Sequence, residues 1–171
     1  MRSALIIFGG LPASGKTTIA QRVARVLRAA YVRVDNIEEA LVASSPLEHP
    51  VGPVGYVIAY TVAAENLRLG GVVVADTVNP LAVTRDAWRS VADEAGAPYV
   101  DVEVICSDRV EHERRATFRP VSGQRKPTWA EITSHEYEPR TDDRLVVDTA
   151  RLSVDDCVAM VLSRVVPASL G

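Results

Sequence analysis

The sequence has few cysteines and no long apolar run. Cys106 and Cys157 are its two cysteines, and they form neither a C-x-x-C motif nor a recognisable disulfide or zinc-ligand pattern. Such cysteine usage is typical of a reducing compartment and predicts a cytoplasmic protein. Residues 49–64 are the longest stretch without Asp, Glu, Lys or Arg, and prolines and glycines interrupt them. This stretch is shorter than the roughly 18 apolar residues of a bilayer helix, so we expect no membrane association.

Positive charge is not in excess either. The chain carries 19 Lys and Arg against 22 Asp and Glu, a formal charge of −3. Because binding to a phosphate backbone depends on a positive surface, this balance argues against a nucleic-acid partner. A hydrophobic content of 47% and a charged content of 24% are those of a globular protein. The length of 171 residues predicts a single domain over residues 1–171.

Short apolar, β-branched runs alternate with helical patterns along the chain. The predicted strands are residues 4–8, 31–34, 72–75, 99–105 and 145–147. The predicted helices are residues 16–28, 53–69, 81–94, 109–118, 128–137 and 153–165. This alternation predicts an α/β fold with a parallel sheet covered on both faces. In such folds ligands bind beyond the carboxyl ends of the strands, so the residues after each strand are the candidates for chemistry.

Residues 10–17 match the phosphate-loop motif G-x-x-x-x-G-K-[ST] and lie between a predicted strand and a predicted helix. In this motif backbone N–H groups surround the phosphates, the lysine contacts phosphate oxygens and the hydroxyl residue ligates Mg²⁺. We therefore predict ATP and Mg²⁺ as cofactors, with Lys16 as a catalytic residue and Thr17 as a metal ligand. The predicted ATP-binding residues of the loop are Gly10, Leu11, Pro12, Ala13, Ser14, Gly15, Lys16, Thr17 and Thr18.

Three other classes of nucleotide-binding protein do not fit. A dinucleotide enzyme needs G-x-G-x-x-G, which is absent, although Asp35 has the spacing of a ribose ligand. An ATPase motor needs a glutamate after the aspartate of its third strand, whereas Thr77 follows Asp76. A small GTPase needs an N/T-K-x-D guanine-binding motif, which the sequence lacks.

Asp35 is the candidate base for transfer of a phosphoryl group to a hydroxyl. It follows the predicted second strand, where a carboxylate can orient an acceptor hydroxyl and take its proton. The alternative role is that of N-cap of the next helix. The two roles are compatible.

Arg115 and Arg119 lie four residues apart on one face of a predicted helix. Guanidinium groups match phosphate oxygens, so we predict both as catalytic residues and Arg115 also as an ATP ligand, in a lid of about residues 109–127. The alternative is a solvated helix in which Glu111 pairs with Arg115. The three histidines, His112 among them, are assigned to surface or structural roles.

The acceptor is predicted to bind between Asp35, the helix 53–69 and the residues after the third strand. Asp76 is a candidate for both Mg²⁺ and the acceptor. The other predicted substrate-binding residues are Tyr56, Tyr60, Asn79 and Arg85, of which the two tyrosines fit a core position equally well.

The loop Gly-Leu-Pro-Ala-Ser-Gly-Lys-Thr-Thr, the pair Val34-Asp35 and the segment Glu-Arg-Arg-Ala-Thr-Phe-Arg at 113–119 carry a family resemblance. With them the chain resembles small P-loop kinases grouped near zeta toxins, polynucleotide kinases, chloramphenicol phosphotransferase and adenylylsulfate kinases, which are AAA family ATP-binding proteins. The resemblance implies a three-layer P-loop fold with strand order 2-3-1-4-5 and an arginine-bearing lid. It also implies that Thr149 contacts ATP.

These observations together predict a kinase that transfers the γ-phosphoryl group of ATP to a hydroxyl of a small molecule. A metabolite, a nucleoside and an antibiotic are all candidate acceptors, because the residues that bind the nucleotide sulfate in adenylylsulfate kinases have no match. Two alternatives stay open: an ATP-binding regulatory module without an acceptor, and a nucleic-acid 5′-hydroxyl kinase. The sequence does not indicate an oligomeric state.

Overall fold

A computed structural model describes residues 3–118 and 126–165. Its sheet has five parallel strands in the order β2-β3-β1-β4-β5, as predicted. The strands are β1 Ala4–Gly9, β2 Ala30–Arg33, β3 Val72–Asp76, β4 Tyr99–Ile105 and β5 Leu145–Asp148. Every strand end lies within one residue of its predicted position, because the apolar runs are short and sharply bounded.

Seven helices are assigned within these residues, and two differ from the prediction. They are α1 Lys16–Leu27, α2 Val34–Ser44, α3 Val54–Arg68, α4 Ala82–Glu94, α5 Arg109–Phe118, α6 Trp129–Thr133 and α7 Val154–Val165. The helix α2 was not predicted, and Val34 is its one fully buried residue. The prediction of a helix over 128–137 was wrong after Thr133, because the chain turns back and the Glu138 amide binds the Pro80 carbonyl. None of these helices has the length and apolarity needed to span a bilayer.

Alternate residues of the central strands face two separate apolar layers. In β1, Ile6 and Phe8 contact the layer formed by α1 and α7, whereas Leu5 and Ile7 contact the layer formed by α3 and α4. This period of two is the geometry of an extended strand whose side chains point to opposite faces. The result is the three-layer α/β arrangement of the P-loop fold.

The strand β4 has one apolar face and one charged face. Val102 and Val104 belong to the α1/α7 layer, while the alternate residues are carboxylates. Arg140 pairs with Asp101 at 2.7 Å, and both side chains are only 1% exposed. Arg144 pairs in the same way with Glu103 at 2.5 Å. Arginines of the segment after α6, together with Arg89 of α4 on Asp101, therefore neutralise this charged face, since a buried carboxylate needs a charged partner.

The turn from β1 into the phosphate loop depends on Gly10. Its φ is +138°, and a Cβ added there would lie 2.2 Å from the Val104 carbonyl oxygen of β4. No L side chain fits so close to a backbone oxygen. The loop is therefore fixed directly against the sheet.

We expect Gly10→Ala to lower the free energy of unfolding by at least about 3 kcal/mol, because the strained φ and the contact with Val104 act together. Gly96→Ala is the control: its φ is +61° but nothing lies within 4 Å of the added Cβ. That variant should lose about 1 to 2 kcal/mol. Urea denaturation of both variants measures the difference, and equal losses would contradict the contact argument.

Candidate active site

The phosphate loop places backbone N–H donors and the side chain of Lys16 at the N-terminus of α1. Lys16 is only 5% exposed, and it has no ion pair or hydrogen bond with any residue among 3–118 and 126–165. Gly15 is the N-cap of α1 and has no side chain to cap it, and no acidic residue lies in the first turn. The buried Ser14 Oγ also has no partner in this part of the chain. A buried cation beside uncapped helix N–H groups is a site for an anion such as phosphate.

The remaining loop residues are more exposed. Leu11, Pro12 and Ala13 are half-buried, and Ala13 has a φ of +63°. Thr17 is half-buried at the start of α1, whereas Thr18 is exposed. Nine of the eleven residues predicted to bind ATP therefore belong to one continuous loop and the first turn of α1, and Arg115 and Thr149 are the other two.

Helix α5 contacts the phosphate loop through His112. His112 is buried, its Nε2 lies 2.8 Å from the Pro12 carbonyl oxygen, and its ring packs edge-on against Trp129 at 5.1 Å. The hydrogen bond requires the proton on Nε2, since a carbonyl can only accept. The predicted structural role of His112 thus includes a contact with the phosphate loop itself.

Arg115 and Thr149, both predicted from the sequence, lie in direct contact. The Arg115 guanidinium donates to Thr149 Oγ1 at 2.8 Å and to its carbonyl at 3.1 Å, and its Nε donates to Glu111 at 2.7 Å. The Thr149 hydroxyl in turn donates to the Ser14 carbonyl at 2.7 Å. A chain of hydrogen bonds therefore runs from α5 through the end of β5 into the phosphate loop. Arg119 lies outside the described residues.

The ends of β2 and β3 form a cluster of charged groups. Arg33 donates to the Asp35 carboxylate at 3.0 Å, and its Nε lies 3.7 Å from Asp76 Oδ2. Tyr31 donates to the same Asp76 oxygen at 2.6 Å. Burial and the Asp76 charge raise the pKa of the Tyr31 hydroxyl, so it stays a donor. Asp76 Oδ1 is buried with no hydrogen-bond partner among the described residues.

Asp35 is the second residue of α2, and Arg33 occupies the N-cap position. No side-chain cap is formed at this helix end. The aspartate carboxylate is half-buried, with a side-chain exposure of 36%, and is held by Arg33. A carboxylate in the first turn of a helix is favoured by the helix dipole. The Asp35 carboxylate, however, does not cap the backbone N–H groups of α2.

Tyr56 joins the residues after β3 to helix α3. Its hydroxyl accepts from Thr77 Oγ1 at 2.7 Å and from the Asn79 amide at 3.2 Å. Asn79 has a φ of +52° and is fully buried, and both polar atoms of its side chain have no partner within the described residues. Burial raises the pKa of the Tyr56 hydroxyl.

Arg85 and Tyr60 donate hydrogen bonds to backbone carbonyls of residues 77–84, which follow β3 and which we call the rim. Arg85 donates to the Pro80 carbonyl at 2.8 Å and lies 3.7 Å from Glu138. The Tyr60 hydroxyl donates to the Thr84 carbonyl at 3.3 Å, and its ring meets Trp88 edge-on at 4.7 Å. Both side chains thus shape the rim through contacts inside the protein.

Several groups of the site were not predicted. Arg33 and Tyr31 alternate with buried Val32 on β2, so the strand pattern identifies their face but not their pairing with Asp76. Glu38 lies three residues after Asp35, a spacing that places both on one helix face once α2 is recognised. The failure to predict α2 is the reason that Glu38 was missed.

We expect Thr149→Val to lower the free energy of unfolding by about 1 to 3 kcal/mol, since the buried Ser14 carbonyl and the Arg115 guanidinium lose a partner. The control is Thr61→Val, which removes an exposed hydroxyl that bonds the Val57 carbonyl within α3. Its effect should stay within about 0.5 kcal/mol. Chemical denaturation measures both, and a loss no larger for Thr149→Val would refute the hydrogen-bond chain as a structural link.

Comparisons with known proteins agree with this fold. A family model described as an AAA domain matches residues 5–132. The "Probable adenylyl-sulfate kinase" of Aeropyrum pernix is 26% identical over 168 residues, which is 91% of this chain and 88% of that protein.

Two solved structures show the same fold at lower identity. A Chloroflexus aurantiacus protein has a TM-score of 0.77 at 23% identity, over 96% of this chain and 97% of that one. The APS kinase of Mycobacterium tuberculosis, in complex with AMPPNP and APS, has a TM-score of 0.74 at 23% identity, over 96% and 98% of the chains. The predicted resemblance to small P-loop kinases is confirmed, and the chain belongs to the AAA domain family whose model matches residues 5–132.

Proposed function

We propose that the protein is a Mg²⁺-dependent kinase that transfers the γ-phosphoryl group of ATP to a hydroxyl of a small molecule. The observation that carries the proposal is the buried Lys16 at the start of α1, which has no side-chain partner among the described residues, with Asp35 in the first turn of α2, directly after a strand that lies two positions from β1 in the sheet. Neighbouring strands are about 4.8 Å apart, so a triphosphate on the loop can extend toward Asp35. The two groups thus suit the donor and the acceptor sides of one transfer.

The phosphate loop and α1 supply the nucleotide site. Backbone N–H groups of the loop between Ala13 and Thr18 bind the β-phosphate, and Lys16 contacts the β and γ oxygens. Thr17 and Asp76 would hold Mg²⁺, and the unpartnered, buried Asp76 Oδ1 fits this role. The ion, when bound, neutralises charge on the β- and γ-phosphates.

Asp35 orients the acceptor and receives its proton. The acceptor oxygen forms a bond to the γ-phosphorus while the bond to the bridging β–γ oxygen breaks, and ADP leaves with that electron pair. The proton of the acceptor hydroxyl goes to the Asp35 carboxylate. Arg33 fixes this carboxylate without covering it, since it engages one of the two oxygens.

The arginines of the predicted lid act on the phosphate side. Arg115 lies next to the loop through Thr149, so we assign both to ATP binding. Arg119, which lies outside the described residues, is assigned to the same clamp on its sequence position alone, four residues after Arg115. Guanidinium donors at this place stabilise the charge of the transferring group.

The rim after β3 forms the acceptor wall. Tyr56 and Asn79 face it as hydrogen-bonding groups, because each has unused polar capacity in the described structure. Arg85 and Tyr60 hold the rim in place through the Pro80 and Thr84 carbonyls. We assign them to positioning of the acceptor site.

We expect Lys16→Ala to abolish transfer, and Asp35→Asn to keep ATP binding while lowering transfer by about 10² to 10⁴. The amide of asparagine cannot accept the proton. The assay is mass-spectrometric detection of a product heavier by about 80 Da after incubation with Mg-ATP and pooled hydroxyl compounds, alongside calorimetric ATP affinity. Asp93→Asn, at the exposed end of α4, is the matched control.

Three outcomes would overturn parts of this assignment. Unchanged turnover in Asp35→Asn would exclude Asp35 as the base. ADP formation without a phosphorylated compound in any small-molecule pool would favour the regulatory module. A product confined to oligonucleotides, with salt-sensitive affinity, would instead favour a nucleic-acid end kinase.

A further inference from the structure

Asp76 differs from the other buried aspartate of the sheet in the group that binds it. Its Oδ2 accepts the Tyr31 hydroxyl proton at 2.6 Å, while the Arg33 guanidinium lies 3.7 Å away, too far for a hydrogen bond. The equally buried Asp101 instead has two guanidinium groups at 2.7 Å and 2.8 Å from its Oδ2. Both aspartates leave Oδ1 without a hydrogen-bond partner among the described residues. The neutral donor is therefore the feature that sets Asp76 apart.

A neutral donor leaves the negative charge of Asp76 to a cation that binds later. A guanidinium in direct contact cancels the charge of a carboxylate, whereas a phenol hydroxyl fixes its position and adds no charge. The Arg33 guanidinium is shared with Asp35, which it contacts at 3.0 Å. Asp76 is thus held in place and still has charge to offer to the metal ion proposed above.

The register of β2 and β3 brings Tyr31 and Asp76 together. Tyr31 lies opposite Val74, so Asp76 is two residues further along β3 on the same face. Tyr31 and Val74 both contact the layer formed by α1 and α7. Asp76 therefore lies on the side of the sheet that faces α1, the helix whose first turn carries Thr17.

Gln21 connects Tyr31 to this helix. Its side chain forms a hydrogen bond with the Tyr31 hydroxyl. Because the hydroxyl gives its proton to Asp76, it can only accept from Gln21. Gln21 lies four residues after Thr17, on the same face of α1. One helical turn and two hydrogen bonds thus join the two residues proposed to hold Mg²⁺.

We propose that Tyr31 is a positioning residue that holds the Asp76 carboxylate for Mg²⁺, with Oδ2 bound by the tyrosine and Oδ1 available to the ion. This inference rests on the metal role of Asp76 in the proposed function. Partners that hydrogen-bond a ligating carboxylate orient it and set the metal affinity. Without the Tyr31 hydroxyl, the carboxylate can turn toward Arg33 and form a close pair like that of Asp101.

The test separates the contribution of the ion from nucleotide binding itself. Calorimetry measures the affinity for AMPPNP, once with excess Mg²⁺ and once with EDTA. The ratio of the two affinities is the gain due to the ion, and it requires neither phosphoryl transfer nor an acceptor. Asp76→Asn gives the loss expected when the ligand itself is removed.

Tyr31→Phe is the diagnostic variant because it removes only the hydroxyl. We expect it to lower the gain about tenfold and to leave the affinity with EDTA unchanged, since the groups that bind phosphate stay intact. If circular dichroism shows that this variant does not fold, Gln21→Met, which removes the donor to Tyr31, decides by the same comparison. Tyr99→Phe is the matched control, since Tyr99 is 41% exposed at the start of β4. It should keep the full gain.

The outcomes separate this inference from the kinase function. A lower gain with an unchanged EDTA affinity would support it. A full gain in the diagnostic variant would overturn it and leave the kinase standing, as would equal losses with Mg²⁺ and with EDTA, which indicate a purely structural role. No gain in the wild type, or a gain that Asp76→Asn does not change, would overturn the metal role of Asp76 as well.

Discussion

The buried ammonium of Lys16 is the constraint on which the arrangement of the site depends. A charge removed from water is costly unless an opposite charge replaces the solvent, and the described protein supplies none here. The loop must therefore be held in shape by other means until an anion binds. Gly10 against β4 fixes its start, while the Pro12 and Ser14 carbonyls are bound from outside. The free energy of folding of the rest of the protein offsets the cost of burying the Lys16 charge.

The buried carboxylates on the two sides of the phosphate loop differ in the number of arginines that pair with them. Toward β4 and β5, every buried carboxylate has an arginine: Asp101 with Arg140, and Glu103 with Arg144. Toward β2 and α2, one arginine, Arg33, is shared by Asp35 and Asp76. Each carboxylate of the β4 side thus has its own positive charge, although Asp101 Oδ1 and Arg140 Nη1 have no hydrogen-bond partner among the described residues, whereas two carboxylates of the β2 side share one guanidinium. This asymmetry separates the half of the sheet that supports the loop from the half in which we propose that the acceptor binds.

The sequence predicted most of the fold and part of the candidate site. Runs such as Val72-Val73-Val74 define strands because buried parallel strands are continuously apolar, and the phosphate-loop motif has its own fixed spacing. Residues whose roles depend on partners far along the chain were not predictable in that way. The contact of His112 with Pro12 joins residues 100 positions apart, and no local pattern encodes it. Glu38 was missed for a different reason, because the short helix α2 buries little apolar surface.

The hydrogen bonds of the phosphate loop also bear on how the chain acquires its structure during synthesis. Pro12 is bound by a residue made 100 positions later, and Ser14 by one made 135 positions later. A growing chain that has emerged only through β3 can pair β3 with β1 and with β2, but it lacks the groups that fix the loop. Long-range contacts of this kind form late, because the entropy of closing a large loop must be overcome first. The phosphate loop therefore leaves the ribosome well before His112 and Thr149, and it is among the last parts of the molecule to become ordered.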